Sequence, residues 1–286
     1  MKRSILWALV FELCSVSVGR AQLPTPAQGY TFKTIDPPGS VDTIARAINA
    51  HGDVVGQFAD AGGVSHGFLL SNGAYRTIDF PGAPGTQATG INARNEIVGA
   101  YSGAHGFLLS SGNFSTFDFP GGVATFPRAI NDVGEIVGNY SASADGPIHG
   151  FLLSRGGFTQ IDFPGAIQTI ANSINDAGDV VGDYVDNNHV YHSFLLSLGV
   201  FTTIDFPGAG GEFGTVAYGI NIRGEIVGTY DTDTQGSGGF LLRRGDFSTI
   251  LFPGALFTRA FDINPRAWIV GNYFVAGVRH GFLATN

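Results

Sequence analysis

The chain has 286 residues, a net charge of −8, only 13% charged residues, and 43 glycines beside 24 phenylalanines. This composition excludes a disordered segment, because the apolar content suffices for a core, and it disfavours a nucleic-acid binder, because an acidic surface repels phosphate. Residues 1–21 hold three basic side chains (Lys2, Arg3, Arg20) and one acidic (Glu12), so residues 22–286 carry −10, and Cys14 is the single cysteine, which rules out an intramolecular disulfide.

In chain order, residues 1–21 have the layout of a secretory signal. Lys2 and Arg3 make a positive start, residues 5–18 an apolar stretch too short for a comfortable membrane span, and Gly19-Arg20-Ala21 a small-x-small cleavage site. Glu12 interrupts the apolar stretch, and the large Leu13 before Cys14 fits a lipid-attachment site badly. Residues 22–29 read as a linker. From residue 30 to residue 286 a unit of about 43 residues recurs six times, the signature of a propeller or similar array forming one domain. The unit is T-x-A-x-x-I-N-x-x-G-[DE]-[IV]-V-G-x-Y, then H-G-F-L-L, then F-x-x-I-D-F-P-G, and its I-N step falls at Asn49, Asn92, Asn131, Asn175, Asn221 and Asn264.

Each unit predicts four short antiparallel strands, one propeller blade. Strand A is T-x-A-x-x-I-N, with the small Ala45, Ala88, Ala171, Ala217 and Ala260 suited to a crowded inner edge. A tight turn needing φ > 0 comes next, at Gly52, Gly134, Gly178 and Gly224; Asn95 tolerates it, whereas Ala267 breaks the pattern. Strand B is [DE]-[IV]-V-G-x-[YF], strand C is H-G-F-L-L, and strand D is F-x-x-I-D-F-P-G, whose proline suits an outer edge. The last unit stops after strand C, while residues 30–36 supply an orphan strand D at the other end. Pairing the two closes a six-bladed all-β propeller of 24 strands; an open solenoid would leave both orphans unpaired and has no polar capping repeat.

The A–B turns and C–D hairpins have constant length, whereas the B–C loops and the D–A connection of unit five (AGGEFGTV) vary. Both variable connections leave a blade at the same end, so that rim is the candidate surface. Four features recur in nearly every unit and read as structural. His66, His105, His149, His192 and His280 open strand C, too far from the axis to share a metal. Phe58, Tyr101, Tyr140, Tyr184, Tyr230 and Tyr273 end strand B and suit packing between blades. Thr43, Thr86, Thr125, Thr169, Thr215 and Thr258 suit the start of a strand. Asp36, Asp79, Asp118, Asp162 and Asp205 of I-D-F-P-G bond their own turns, with Leu251 once in their place.

Chemistry is sought where the units differ. After the Ala or Pro of strand A stand Arg46, Thr89, Arg128, Asn172, Tyr218 and Phe261, with Arg259 nearby, a candidate ligand-binding mouth of mixed polar and aromatic character. Oxygen ligands for calcium are offered by Asp231, Asp233 and Glu212, and by Asp186 with Asn187, Asn188 and His189, although their spacing matches no EF-hand loop and solvated loop acids are the ordinary reading. No nucleophile elbow, no H-E-x-x-H, no phosphate loop and no paired carboxylates appear.

The strings His66-Gly67-Phe68, His105-Gly106-Phe107, His149-Gly150-Phe151 and His280-Gly281-Phe282, each with I-N-x-x-[GN]-[DE]-[IV]-V-G or a close variant at fixed offset, resemble the HAF family of extracellular bacterial repeats; His192-Ser193-Phe194 and Gly238-Gly239-Phe240 depart from it. The resemblance implies an exported protein and carries over no catalytic residue. The expected function is a secreted or periplasmic, monomeric, non-catalytic binding or adhesion module without a cofactor. Its ligand would be a glycan, another surface polymer or a protein partner, held on the variable rim. The alternatives are a hydrolase or lyase using rim carboxylates and a structural envelope protein.

Overall fold

A computed structural model describes residues 24–210, 214–232 and 236–286. The signal expected at residues 1–21 lies outside them, as do Glu212 and Asp233. Among the described residues there is no helix, hence none long and apolar enough to cross a membrane. Six four-stranded antiparallel sheets stand around one axis, a six-bladed β-propeller. The inner strands are Asp42–Ile48, Thr86–Ile91, Ala124–Ile130, Gln168–Ile174, Thr215–Ile220 and Phe257–Ile263.

The ring closes through its ends. Thr31–Ile35 is the outer strand of the sixth blade and pairs with Val278–Thr285 in the register Thr31↔Thr285 to Ile35↔Gly281, so no blade is left with an orphan edge. The segment read as a linker is not free between residues 25 and 27. Pro26 bridges Thr249 in parallel, Ala27 N–H donates to Thr249 O at 2.9 Å and Thr249 N–H to Thr25 O at 3.1 Å, which lays it along the outer strand of blade 5.

The six I-N asparagines form a belt around the axis. Each Nδ2 donates to the main-chain carbonyl of its equivalent in the next blade, at 3.1–3.3 Å, and Asn264 returns to Asn49 to complete the circle. The same side chains hold their own turns: Asn175 Oδ1 accepts the Ala177 and Asp179 amides, both at 3.0 Å. Those turns do need a left-handed residue. Ala267 meets the demand at φ 60° instead of breaking the pattern, beside Asn95 at 58° and Gly52 at 96°.

Between blades the packing repeats too. The Phe of H-G-F is fully buried in all six blades, its ring over the strand B glycine, where a Cβ at Gly228 would come within 2.6 Å of Phe240. The strand B tyrosine lies face to face with the Phe of D-F-P-G from the preceding blade, as in Phe163–Tyr184 at 3.7 Å and 3°, and so is sandwiched between blades. The D–A connection is tied off by the strand A threonine, whose Oγ1 accepts that Phe amide, Phe163 N–H to Thr169 at 3.0 Å; the same bond, Phe206 to Thr215 at 2.9 Å, survives the longer loop of blade 5. Each strand C histidine bonds through Nδ1 to the Asp of the strand D beside it, thirteen residues on in blades 1 to 4, as in His192–Asp205 at 3.1 Å, and at the other end of the chain in blade 6, His280–Asp36 at 2.7 Å. Where His is absent, Asp is absent too: Leu251 lies against Gly238.

Candidate functional site

Each inner strand carries a β-bulge, and the six bulged residues are Arg46, Thr89, Arg128, Asn172, Tyr218 and Phe261. A bulge inserts an unpaired residue and re-aims its side chain. Six in register point six side chains at the axis, where they surround a chamber of about 30 Å³. That is room for about two water molecules. The expected mouth is therefore a plug inside the channel, below the loop rim. Five of the six expected ligand-binding residues meet there, joined by Thr89. Arg259 does not line the chamber; it lies two residues nearer the rim with its guanidinium 5.4 Å from the Phe257 ring centre.

The plug is knit from one blade to the next. Thr89 Oγ1 donates to Pro127 O at 2.8 Å and Asn172 Nδ2 to Ala217 O at 3.0 Å. Arg46 sits over the Phe261 ring at 4.9 Å, and Phe261 meets Tyr218 edge-on at 4.9 Å. Behind them stands a second layer from the varying strand B position of V-G-x-Y: Gln57, Asn139 and Asp183. Arg128 Nε donates to Asn139 Oδ1 at 3.0 Å and Asn172 Nδ2 to Asp183 Oδ1 at 2.7 Å. The corresponding pair in blade 1 is unmade, leaving Arg46 Nε and Gln57 Oε1 buried without partners, a place that suits one of the waters. The sequence signal for this layer was available, since this strand B position varies between units as the bulged position does.

Burial governs the charges. It brings Arg46 down to about 10, helped by repulsion from Arg128. It pushes the Asp183 carboxyl up to about 6 against the hydrogen bond from Asn172 and the charge of Arg128. Towards the A–B turns a chamber of about 90 Å³ is ringed by the asparagine belt with Asp132, Asp176 and Asp262. Burial also lifts Asp262 to about 6, although Ile48 N–H and its neighbour Ile263 N–H, each at 2.9 Å, donate to it.

The loop rim offers larger spaces. Between blades 1 and 2 a groove of about 440 Å³ is walled by Val64, Ser65, Gln87, Ser102 and bare glycine backbone, with the half-buried Phe126 of blade 3 at its inner end. Between blades 5 and 6 a groove of about 390 Å³ runs past Ser237, Leu251, Leu256 and Phe257. Of the calcium candidates, Asp231 pairs in strand B with Ser237 and exchanges main-chain bonds with Gly210 and Gly214. Asp186 spends Oδ1 on the amides of Asn188 and Val190. Among the described residues no three His, Cys, Asp or Glu side chains are grouped to hold a metal.

No family model and no curated protein matches the chain. Solved structures of similar shape include a protein assigned as a gluconolactonase, with TM-score 0.58 and 12% identity over 92% of this chain and 94% of that one. The Aleuria aurantia lectin in complex with Fucα1-6GlcNAc gives 0.55 and 12% over 86% and 93%. TolB from Acinetobacter baumannii gives 0.55 and 12% over 87% and 65%. At such identities the likeness is one of fold: this chain shares the propeller with proteins that bind and proteins that catalyse.

Proposed function

We propose that the protein is an exported binding propeller, an adhesion module of the HAF kind it resembles, which holds a glycan or a similar surface polymer on its loop rim. One observation carries the reading. The groove between blades 1 and 2 is large enough for a sugar unit and combines an aromatic side chain, Phe126, with hydroxyl, amide and bare backbone groups, whereas the axial plug leaves space for water alone. Aromatic faces take the C–H side of a sugar while hydroxyls and amides fix its orientation. The hydrolase alternative has the raised Asp183 in its favour, but that carboxyl is bonded to Asn172 behind the plug and meets no space that admits a sugar ring.

The test is a thermal-shift screen of residues 22–286 against oligosaccharides and polysaccharides, with calcium or with EDTA. A saturable rise in Tm with one glycan, lost in Phe126→Ala and Gln87→Ala and kept in Tyr218→Phe, is the expected result. A shift lost only on changing Arg128 or Tyr218 moves the site to the axis. Silence across the whole panel removes the glycan from the reading.

A further inference from the structure

The turn face, built to constant loop lengths, carries a cluster of basic side chains. Four exposed arginines, Arg223, Arg243, Arg244 and Arg266, line a groove of about 500 Å³ between blades 5 and 6. They are a third of the twelve basic residues beyond residue 21, in a chain that is acidic as a whole.

Ordinary blade architecture does not require them. In blades 2 and 3 the acid just after the A–B turn is satisfied by a serine at the end of strand C: Ser110 Oγ donates to Glu96 Oε1 at 3.4 Å and Ser154 Oγ to Glu135 Oε1 at 2.9 Å. Blades 1 and 4 have Ser71 and Ser197 at that place. Blade 5 puts Arg243 there, with Arg244 next to it, where blades 1 to 4 have Asn72, Ser111, Arg155 and Leu198 and blade 6 has Thr285 followed by Asn286. A charge has replaced a hydroxyl that met the structural need.

The cluster is also held in place. Glu225, nearly buried, receives Arg243 Nε on Oε1 at 2.7 Å, and on Oε2 Arg223 Nη2 at 3.0 Å and Asn221 Nδ2 at 2.6 Å. Each guanidinium has five N–H donors, so both keep donors that Glu225 does not take, the Arg223 and Arg243 side chains stay 51% and 43% exposed, and one carboxylate cannot neutralise two. Arg266 lies over the Trp268 ring at 5.1 Å, and the Tyr30 hydroxyl, donated to Ala267 O at 3.0 Å, is a further hydrogen-bond partner of Arg243. Asp246, facing Arg243 across the hairpin, and Glu225 are acids near the cluster, and Asn286 lines the groove beside them. Fixed guanidinium forks with surplus charge are the chemistry that recognises carboxylate, sulfate or phosphate groups.

We propose that this groove binds a multivalent oxyanion, with its acidic groups carried on one small molecule or on a segment of anionic polymer. The site is on the opposite face from the glycan groove and stands or falls independently of it.

Calorimetric titrations at low and moderate salt, with pyrophosphate, citrate and a heparin-derived hexasaccharide as probes, test it in residues 22–286. The variant is Arg243→Ser with Arg244→Asn, which rebuilds the Ser71-Asn72 hairpin of blade 1 and keeps a partner for Glu225. The control, Lys33→Ser with Arg76→Ser, removes the same charge from outer strands. Saturable binding that weakens at least about tenfold in the variant, weakens with salt and survives in the control supports the site. Saturation by the small anions assigns a small ligand, and by the hexasaccharide alone a polymer. No saturable binding of any probe, or an equal loss in the control, overturns it.

Discussion

Asn49 and its five equivalents show how much a single side chain can carry in a repeat. Its oxygen closes the turn and its amide ties one blade to the next, and a belt bond contributes about 1 kcal/mol. An I-N step every 43 residues or so is legible in sequence, but a bond to a residue that distant is not, because nothing local encodes it. Asp183 makes the complementary point. Its ordinary pKa of 3.8 rises to about 6 in the fold, so between those values the unfolded chain has lost its proton while the folded chain keeps it. The unfolded state then binds fewer protons, and stability falls as pH climbs from about 4 to about 6 and stays lower above. The cost is about 3 kcal/mol. Asp183→Asn, which still accepts from Asn172, is expected to match the parent in urea unfolding at pH 3.5 and to be more stable by about 1–3 kcal/mol at pH 7. A less stable variant at pH 7 would mean that the carboxylate is ionised and paired with Arg128.

The bulge and the His–Asp clip act at the level of the strand. A regular strand A alternates its side chains between two neighbouring blades, and the bulge adds a third direction, towards the axis. Sequence comparison found Arg46, Arg128, Asn172, Tyr218 and Phe261 by their variability, yet placed them at a mouth, because the depth of a strand residue in a channel depends on strand tilt and on neighbours. The clip was half legible: His and Asp recur thirteen residues apart and vanish together in blade 5. That joint loss yields a prediction. Gly238→His alone would drive a side chain into Leu251, whose Cδ2 lies 2.7 Å from the Cβ position, and into the Tyr230 hydroxyl at 2.9 Å. A destabilisation of about 1–3 kcal/mol is expected. Adding Leu251→Asp should recover most of it, read as a coupling energy in a double-mutant cycle by chemical denaturation. Purely additive changes would show that the clip adds nothing in this blade.

For the molecule as a whole the decisive joint is the sixth blade, where Asn286 and Tyr30 stand at the two turn positions that Asn72 and Gly73 fill in blade 1. Deleting residues 1–36 would strip Ile35 from the core and bare the edge of Val278–Thr285. A fall in Tm of more than about 10 °C with concentration-dependent association is expected by calorimetry and light scattering. A permutant joining Asn286 through one glycine to Thr31, and opened between Leu198 and Gly199, should instead melt within about 5 °C of the parent. If the deletion melts like the parent, closure does not hold the ring.

The repeat by itself determined the blade number, the order of the strands and the exchange of the outer strand between the chain ends, because spacing and alternation along the chain dictate which groups pair locally. It also separated the constant turns from the variable loops. Only the tertiary structure decided that six bulges stop the channel with a plug, that the asparagines form a circle, and that Arg223, Arg243, Arg244 and Arg266, up to 43 residues apart, share one groove on the face of constant turns. Those are consequences of curvature and of contact between blades, and a closed ring brings together residues whose separation in sequence says nothing of their distance in space.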